Sequence, residues 1–239
     1  MRFNYGKIWA RSWVLLSVSA MTWAGVTPET YNVYLSSTSH NPQAISFYNP
    51  ADQDVVVRAR VYKSNINAKG STALPSEEGV RLTPQRFTVA AHSSAAVEVG
   101  YQGPPREVGD EYALEIIPLK ARALEVGKAT PTLSFLTTQK INLHVLPKNI
   151  HPTMAIHYDA DHAILKNTGN VSIWVQSLAA CDSSTACHTL PVGSSVRFMP
   201  GAWLDLGAVK PYAGFQVEQV WGVSSGKEEK QTIQIPTRI

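Results

Sequence analysis

Cysteine is almost missing from this 239-residue chain, charge is sparse, and no apolar run is long enough to cross a bilayer as a stable span. Charged residues make up 16% of the sequence against 44% hydrophobic, too apolar for a disordered chain and too evenly spread for a membrane protein. Enzyme signatures are missing too: there is no Gly-x-Ser-x-Gly, no His-Glu-x-x-His and no Gly-x-Gly pair. Gly222-Val-Ser-Ser-Gly-Lys227 has the outline of a phosphate loop, but its spacing is one residue short and Glu228 stands where Ser or Thr is required. It reads as a hairpin turn. His157-Tyr-Asp-Ala-Asp-His162 gathers two histidines and two carboxylates at a spacing that fits no established metal site. Trp174, Trp203 and Trp221 are scattered and form no stripe for sugar stacking. The expectation is a non-enzyme with no catalytic residue, no cofactor and no metal.

What is present begins with a leader. Arg2, Lys7 and Arg11 precede an apolar stretch at 13–21 that ends in small residues around Ala24, the order of a secretory signal peptide. The run is short for an uncleaved anchor, which is the weaker reading. Residues 1–24 are therefore read as signal and the mature chain as starting near Gly25. The formal charge of +3 resides in those three leader cations, and the remainder carries equal numbers of basic and acidic side chains. Nucleic acid, which demands a clustered basic surface, is not the expected partner. Export would place Cys181 and Cys187, the two cysteines of the chain, where thiols are oxidised, so a disulfide is inferred. A loop this short stabilises by about 2 kcal/mol, enough to pin a hairpin.

From Thr30 onward the dominant period is two. Tyr31, Val33 and Leu35 alternate, as do Val55, Val57, Ala59 and Val61, with Arg58 and Arg60 between the last three. The pattern continues through Ala95/Val97/Val99 and Tyr112/Leu114/Ile116, with turn chemistry at Asn49-Pro50, Gly103-Pro104-Pro105 and Gly109-Asp110. About seven such segments lie between residues 30 and 147, the number expected of an immunoglobulin-like sandwich. Pro147 and Pro152 stiffen a link, after which a second β unit begins with Ala163 to Leu165, Val171/Ile173/Val175, Phe215/Val217/Gln219/Trp221 and Thr232 to Ile235. No amphipathic helix is apparent. The organisation expected is 25–147 and 148–239.

Three stretches carry a resemblance. The first is Leu82-Thr-Pro-Gln-Arg-Phe-Thr-Val-Ala-Ala-His-Ser-Ser-Ala-Ala-Val-Glu-Val, followed by Asp110-Glu-Tyr-Ala-Leu-Glu-Ile-Ile-Pro118; the second is Leu133-Ser-Phe-Leu-Thr-Thr-Gln-Lys-Ile-Asn-Leu-His-Val-Leu-Pro147; the third runs from Ile164-Leu-Lys-Asn-Thr-Gly-Asn-Val171 through Cys181 and Cys187. In order and spacing, across residues 30–235, they resemble the PapD-like periplasmic pilus (fimbrial) assembly chaperones of the chaperone-usher family. The third stretch looks most like the alternate class known from class 5 fimbriae.

The resemblance implies an all-β protein of two immunoglobulin-like sandwiches in a boomerang arrangement. It also implies a periplasmic chaperone that holds unfinished pilus subunits by donor-strand complementation and delivers them to an outer-membrane usher. A sandwich missing an edge strand exposes core and unpaired backbone, and a lent strand repairs both. By position in the family strand, Leu133, Phe135 and Thr137 would be lent, Ile141, Leu143 and Val145 would stay in the chaperone's own core, and 120–132 would be the approach. Lys140 lies two residues before the family's carboxylate-anchoring lysine, a shift that keeps the same strand face, and Asn142 stands at that lysine's position. The family's first-strand arginine has no counterpart among Ser36, Ser37 and Thr38. The rival functions are a secreted pilus structural subunit and a β-sandwich carbohydrate-binding module. Thr27 to Asn32 is short for a subunit's donor extension, and no aromatic platform is readable for the module.

Overall fold

Apolar residues at alternate positions press one face of a strand against a core, and the alternation seen in the sequence becomes strand after strand, with no helix among the described residues. The computed structural model describes residues 23–67, 70–75, 79–119, 135–159, 162–182, 186–191, 195–208, 212–223 and 225–236. The leader stretch 13–21, the approach 120–132 and Leu133 lie outside them.

The first unit holds β1 (Trp23–Ala24), β2 (Thr27–Pro28), β3 (Asn32–Ser36), β4 (Gln43–Tyr48), β5 (Val55–Asn67), β6 (Gly70–Pro75), β7 (Val80–Thr83), β8 (Arg86–Val89), β9 (Ser94–Tyr101), β10 (Asp110–Leu119), β11 (Phe135–Leu136) and β12 (Gln139–Leu146). One sheet runs β3-β12-β10-β5-β6, with β8 also on β5; its counterpart runs β2-β4-β9-β7. Between them lie Val33 and Leu35, Val55 to Val61 at odd positions, Val97 and Val99, Tyr112, Leu114 and Ile116, and Ile141, Leu143 and Val145. Among the described strands two pairings are parallel, β3 with β12 and the short β1 with β11.

The second unit holds β13 (Met154–Asp159), β14 (His162–Asn167), β15 (Ile173–Cys181), β16 (Cys187–Thr189), β17 (Val196–Phe198), β18 (Trp203–Ala208), β19 (Gly214–Gly222) and β20 (Glu228–Pro236). Its sheets are β13-β14-β18 and β16-β15-β19-β20, with β17 pairing β15. Ala163, Leu165, Ile173, Val175, Phe215 and Val217 fill the core between them. Cys181 and Cys187 face each other across β15 and β16 and are bonded, the disulfide expected from the sequence. Between β19 and β20, Val223 N–H donates to Lys227 O at 2.9 Å and Gly226 N–H to Val223 O at 3.0 Å, a hairpin closure of the kind the failed phosphate-loop spacing implies.

Two features depart from simple alternation. Tyr31, grouped with Val33 and Leu35 by period, is half exposed because β3 begins one residue later. Tyr34, out of phase with that face, is 3% exposed because it belongs to the other core: with Leu146 it packs among the residues of the second unit. Gly222 makes room for it, since a Cβ there would fall inside the Tyr34 ring.

Candidate functional site

The strand that the sequence singles out is divided. Phe135–Leu136 and Gln139–Leu146 are separate strands, with Thr137 and Thr138 between them outside any ladder. From residue 142 onward β12 is flanked on both sides, by β10 and by β3, whose Asn32–Ser36 pairs with Asn142 to Leu146. The β3 side closes with Asn142 N–H donating to Tyr31 O at 2.9 Å. Beyond it, at 139–141, β12 pairs with β10 alone among the described strands. Ile141, Leu143 and Val145 are buried in the first core, as expected. Thr137 and Thr138 are exposed, and Gly25 lies beside Thr137, where an added Cβ would sit 3.4 Å from its Oγ1.

Lys140 is 67% exposed and pairs with Glu115 at 3.3 Å, its neighbour across β10. The pair is near the surface, where such bridges contribute little. Asn142, at the position where the family carries its lysine, donates to Asn32 Oδ1 at 3.0 Å.

Two residues further along the same face, a polar cluster joins the two units. His144 Nδ1 lies 2.6 Å from Glu111 Oε2, and Arg197 from β17 pairs with the same carboxylate, to which Ser172 Oγ also donates. His144 stacks on Tyr34 with ring centroids 4.8 Å apart and meets the edge of Trp174 at 5.1 Å. The Arg197 guanidinium lies 5.2 Å over Trp174. Tyr34 Oη donates to Glu228 Oε1 at 2.8 Å. Burial pushes the Glu111 carboxyl up, but His144, Arg197 and the Ser172 hydrogen bond outweigh it and hold the group below its ordinary value. Burial, and then the bond to Glu228, push the Tyr34 hydroxyl well above its own. Ser172 donates to a carboxylate, so Ser172, His144 and Glu111 do not have the nucleophile-to-base geometry of a hydrolase. The cluster fastens one unit to the other, helped by Asn170, whose Nδ2 donates to Glu107 O at 2.9 Å and Asn149 O at 2.7 Å.

None of these joint residues stands out in the sequence. A histidine, a glutamate and a tyrosine at outward positions of strands look like solvated side chains, and no local pattern says that a second unit covers them. In the His157 to His162 stretch, His162 Nδ1 lies 3.0 Å from Asp205 Oδ2 on β18.

No protein-family model matches the sequence, and no curated protein matches it. Solved structures do. The class 5 fimbriae chaperone CfaA superposes with a TM-score of 0.69 at 16% identity, covering 89% of this chain and 100% of its own. The fold is that of the fimbrial chaperones. The E. coli chaperone DraB gives a TM-score of 0.60 at 11% identity, over 91% of this chain and 98% of DraB. A structure of the Salmonella enterica SafA pilin in complex with the SafB chaperone gives 0.59 at 13% identity, over 91% of this chain and 99% of the matched one. These likenesses extend across both units, and they agree with the two-sandwich expectation.

Proposed function

We propose that this chain is a periplasmic chaperone that captures pilus subunits by lending them the edge at β11 and β12, then passes them to an outer-membrane usher. The observation that supports the reading is the state of that edge within a fold shared over 89% of this chain with a fimbrial chaperone: β12 is closed on both sides from residue 142 and, among the described strands, pairs on one side only at 139–141. An incoming strand needs unpaired backbone for sequence-tolerant hydrogen bonds and alternate side chains to fill its own gap. Leu133, Phe135 and Thr137 are the side chains assigned to that gap, and Lys140 is assigned to the subunit's terminal carboxylate, for which it would exchange Glu115. The signal at 1–24, the mature start near Gly25 and the division at 147/148 belong to the same reading. No sequence feature of an enzyme competes with it.

The test is co-purification. The tagged, exported protein should leave the periplasm with an equimolar pilus subunit identified by mass spectrometry, and N-terminal sequencing should begin near Gly25. Recovery of the chain assembled into fibres would favour a structural subunit, and retention on a polysaccharide column would favour a carbohydrate-binding module.

A further inference from the structure

The outer face of the β12-β10-β5-β8 layer carries an unbalanced row of charge. Cross-strand register places Lys140 opposite Glu115, Glu115 opposite Arg60, Ile117 opposite Arg58, and Arg58 opposite Arg86. Residues directly opposite share a face, so Lys140 on β12, Arg60 and Arg58 on β5 and Arg86 on β8 form one band that crosses β10 at Glu115, with strands spaced about 5 Å apart. All four are exposed. Glu115 is the single carboxylate within the band; Glu111, further along β10 on the same face, is buried in the joint with the second unit. The side chains of Arg58, Arg60 and Arg86 make no ion pair or hydrogen bond among the described residues. Like charges directly opposite each other destabilise a sheet, so the Arg58–Arg86 pairing costs stability until an anion arrives.

The band also has a position. It starts at Lys140, on the part of β12 that β3 leaves unpaired, and runs inward from that edge. We propose that Arg58, Arg60, Arg86 and Lys140 form a docking face for a carboxylate-rich protein surface, that of the subunit accepting the strand, and steer it onto the edge. This rests on the strand-lending reading. A protein is the fitting partner because the band is short, lies flush with a sheet and has a carboxylate in its middle, whereas nucleic-acid binders neutralise many phosphates along a track. Charge complementarity of this kind acts chiefly on the rate of encounter, by focusing the partner before contacts form.

The test uses the subunit recovered from the periplasmic complex, unfolded in urea and diluted into the purified full chain, with complex formation followed by stopped-flow fluorescence. At about 30 mM salt Arg58→Glu/Arg86→Glu should slow association roughly tenfold, and Glu115→Gln should speed it. Both differences should collapse at about 0.5 M salt, where exposed charges are screened. Neither variant should lower the melting temperature by more than a few degrees, since the first exchanges one exposed like-charge pair for another and the second releases only the exposed Lys140. Unchanged rates, or slowing that persists equally at high salt, would overturn the docking face while leaving strand lending intact. If the wild-type chain forms no complex with the subunit, strand lending itself fails and takes this proposal with it.

Discussion

The two ends of β12 are built for different neighbours. Toward residue 146 the strand lies between β10 and β3, its odd side chains sunk in the first core and its even side chain His144 sunk in the joint with the second unit. Toward residue 139 it keeps one neighbour among the described strands, Thr137 and Thr138 stand clear of their ladders, and the outward side chain is the exposed Lys140. One end is anchored on every side and the other is held on one. A strand can be lent only if the lending part contributes little to its own protein, and this difference makes that separation physically possible.

The largest effect that could break the contrast comes from the free end. Leu133→Ser with Phe135→Ser should abolish subunit capture in a pull-down while leaving the melting temperature of the free protein within a few degrees of wild type. If the double variant unfolds instead, the two ends are equivalent and strand lending is wrong. At the anchored end, Leu143→Ala should destabilise by about 2–5 kcal/mol in urea unfolding, the cost of a cavity in a close-packed core.

Glu111→Ala, at the joint, should cost about 3 kcal/mol by stranding the half-covered Arg197 beside His144. The carboxyl of Glu111 is held below its ordinary value in the folded protein, so it favours folding above the unfolded carboxylate pKa of about 4.3, and that contribution is lost as pH falls through the folded value. Stability of the wild type should therefore fall more steeply on acidification than that of Glu111→Gln, as read from urea midpoints between neutral and acid pH. A joint whose midpoint ignores Glu111 would leave the anchored end resting on its core alone.

The smallest expected effect sharpens the boundary between the ends. Lys140→Ala should change the free protein's stability by less than about 1 kcal/mol, because Lys140 itself is two-thirds exposed and its bridge to Glu115 lies near the surface. If it holds a terminal carboxylate, the same change should weaken capture by about 1.5–3 kcal/mol. A double-mutant cycle with a C-terminally amidated subunit isolates that pair. Equal weakening of free-acid and amidated subunits would remove Lys140 from the anchor.

Much of the fold was legible because period-two alternation reports directly which face is buried: Val55 to Val61 and Ile141 to Val145 land where their phase puts them. The disulfide was legible from two cysteines and the expectation of export. The break at Thr137 and Thr138 was not, since threonine is a good strand former and the apolar alternation on either side hides the gap. Tyr34, Glu111 and His144 were illegible for another reason. Their cover comes from residues far along the chain, and a polar outward side chain looks the same whether water or another sandwich lies over it. The opposition of Arg58 and Arg86 depends on register between β5 and β8, which neither strand specifies alone.

Tyr34 also bears on the order in which the protein can fold. It is contributed by one of the first strands of the chain, yet the core it completes is assembled from residues 146 to 235. Its own strand is secured by β12, so β3 has no ladder in that sheet until residues 142–146 are in place. Both closures join segments far apart in sequence, and such closures are slow. The first unit must wait for its last strand and the second for a ring from the first, which makes the halves of this chain dependent partners in a single folding event.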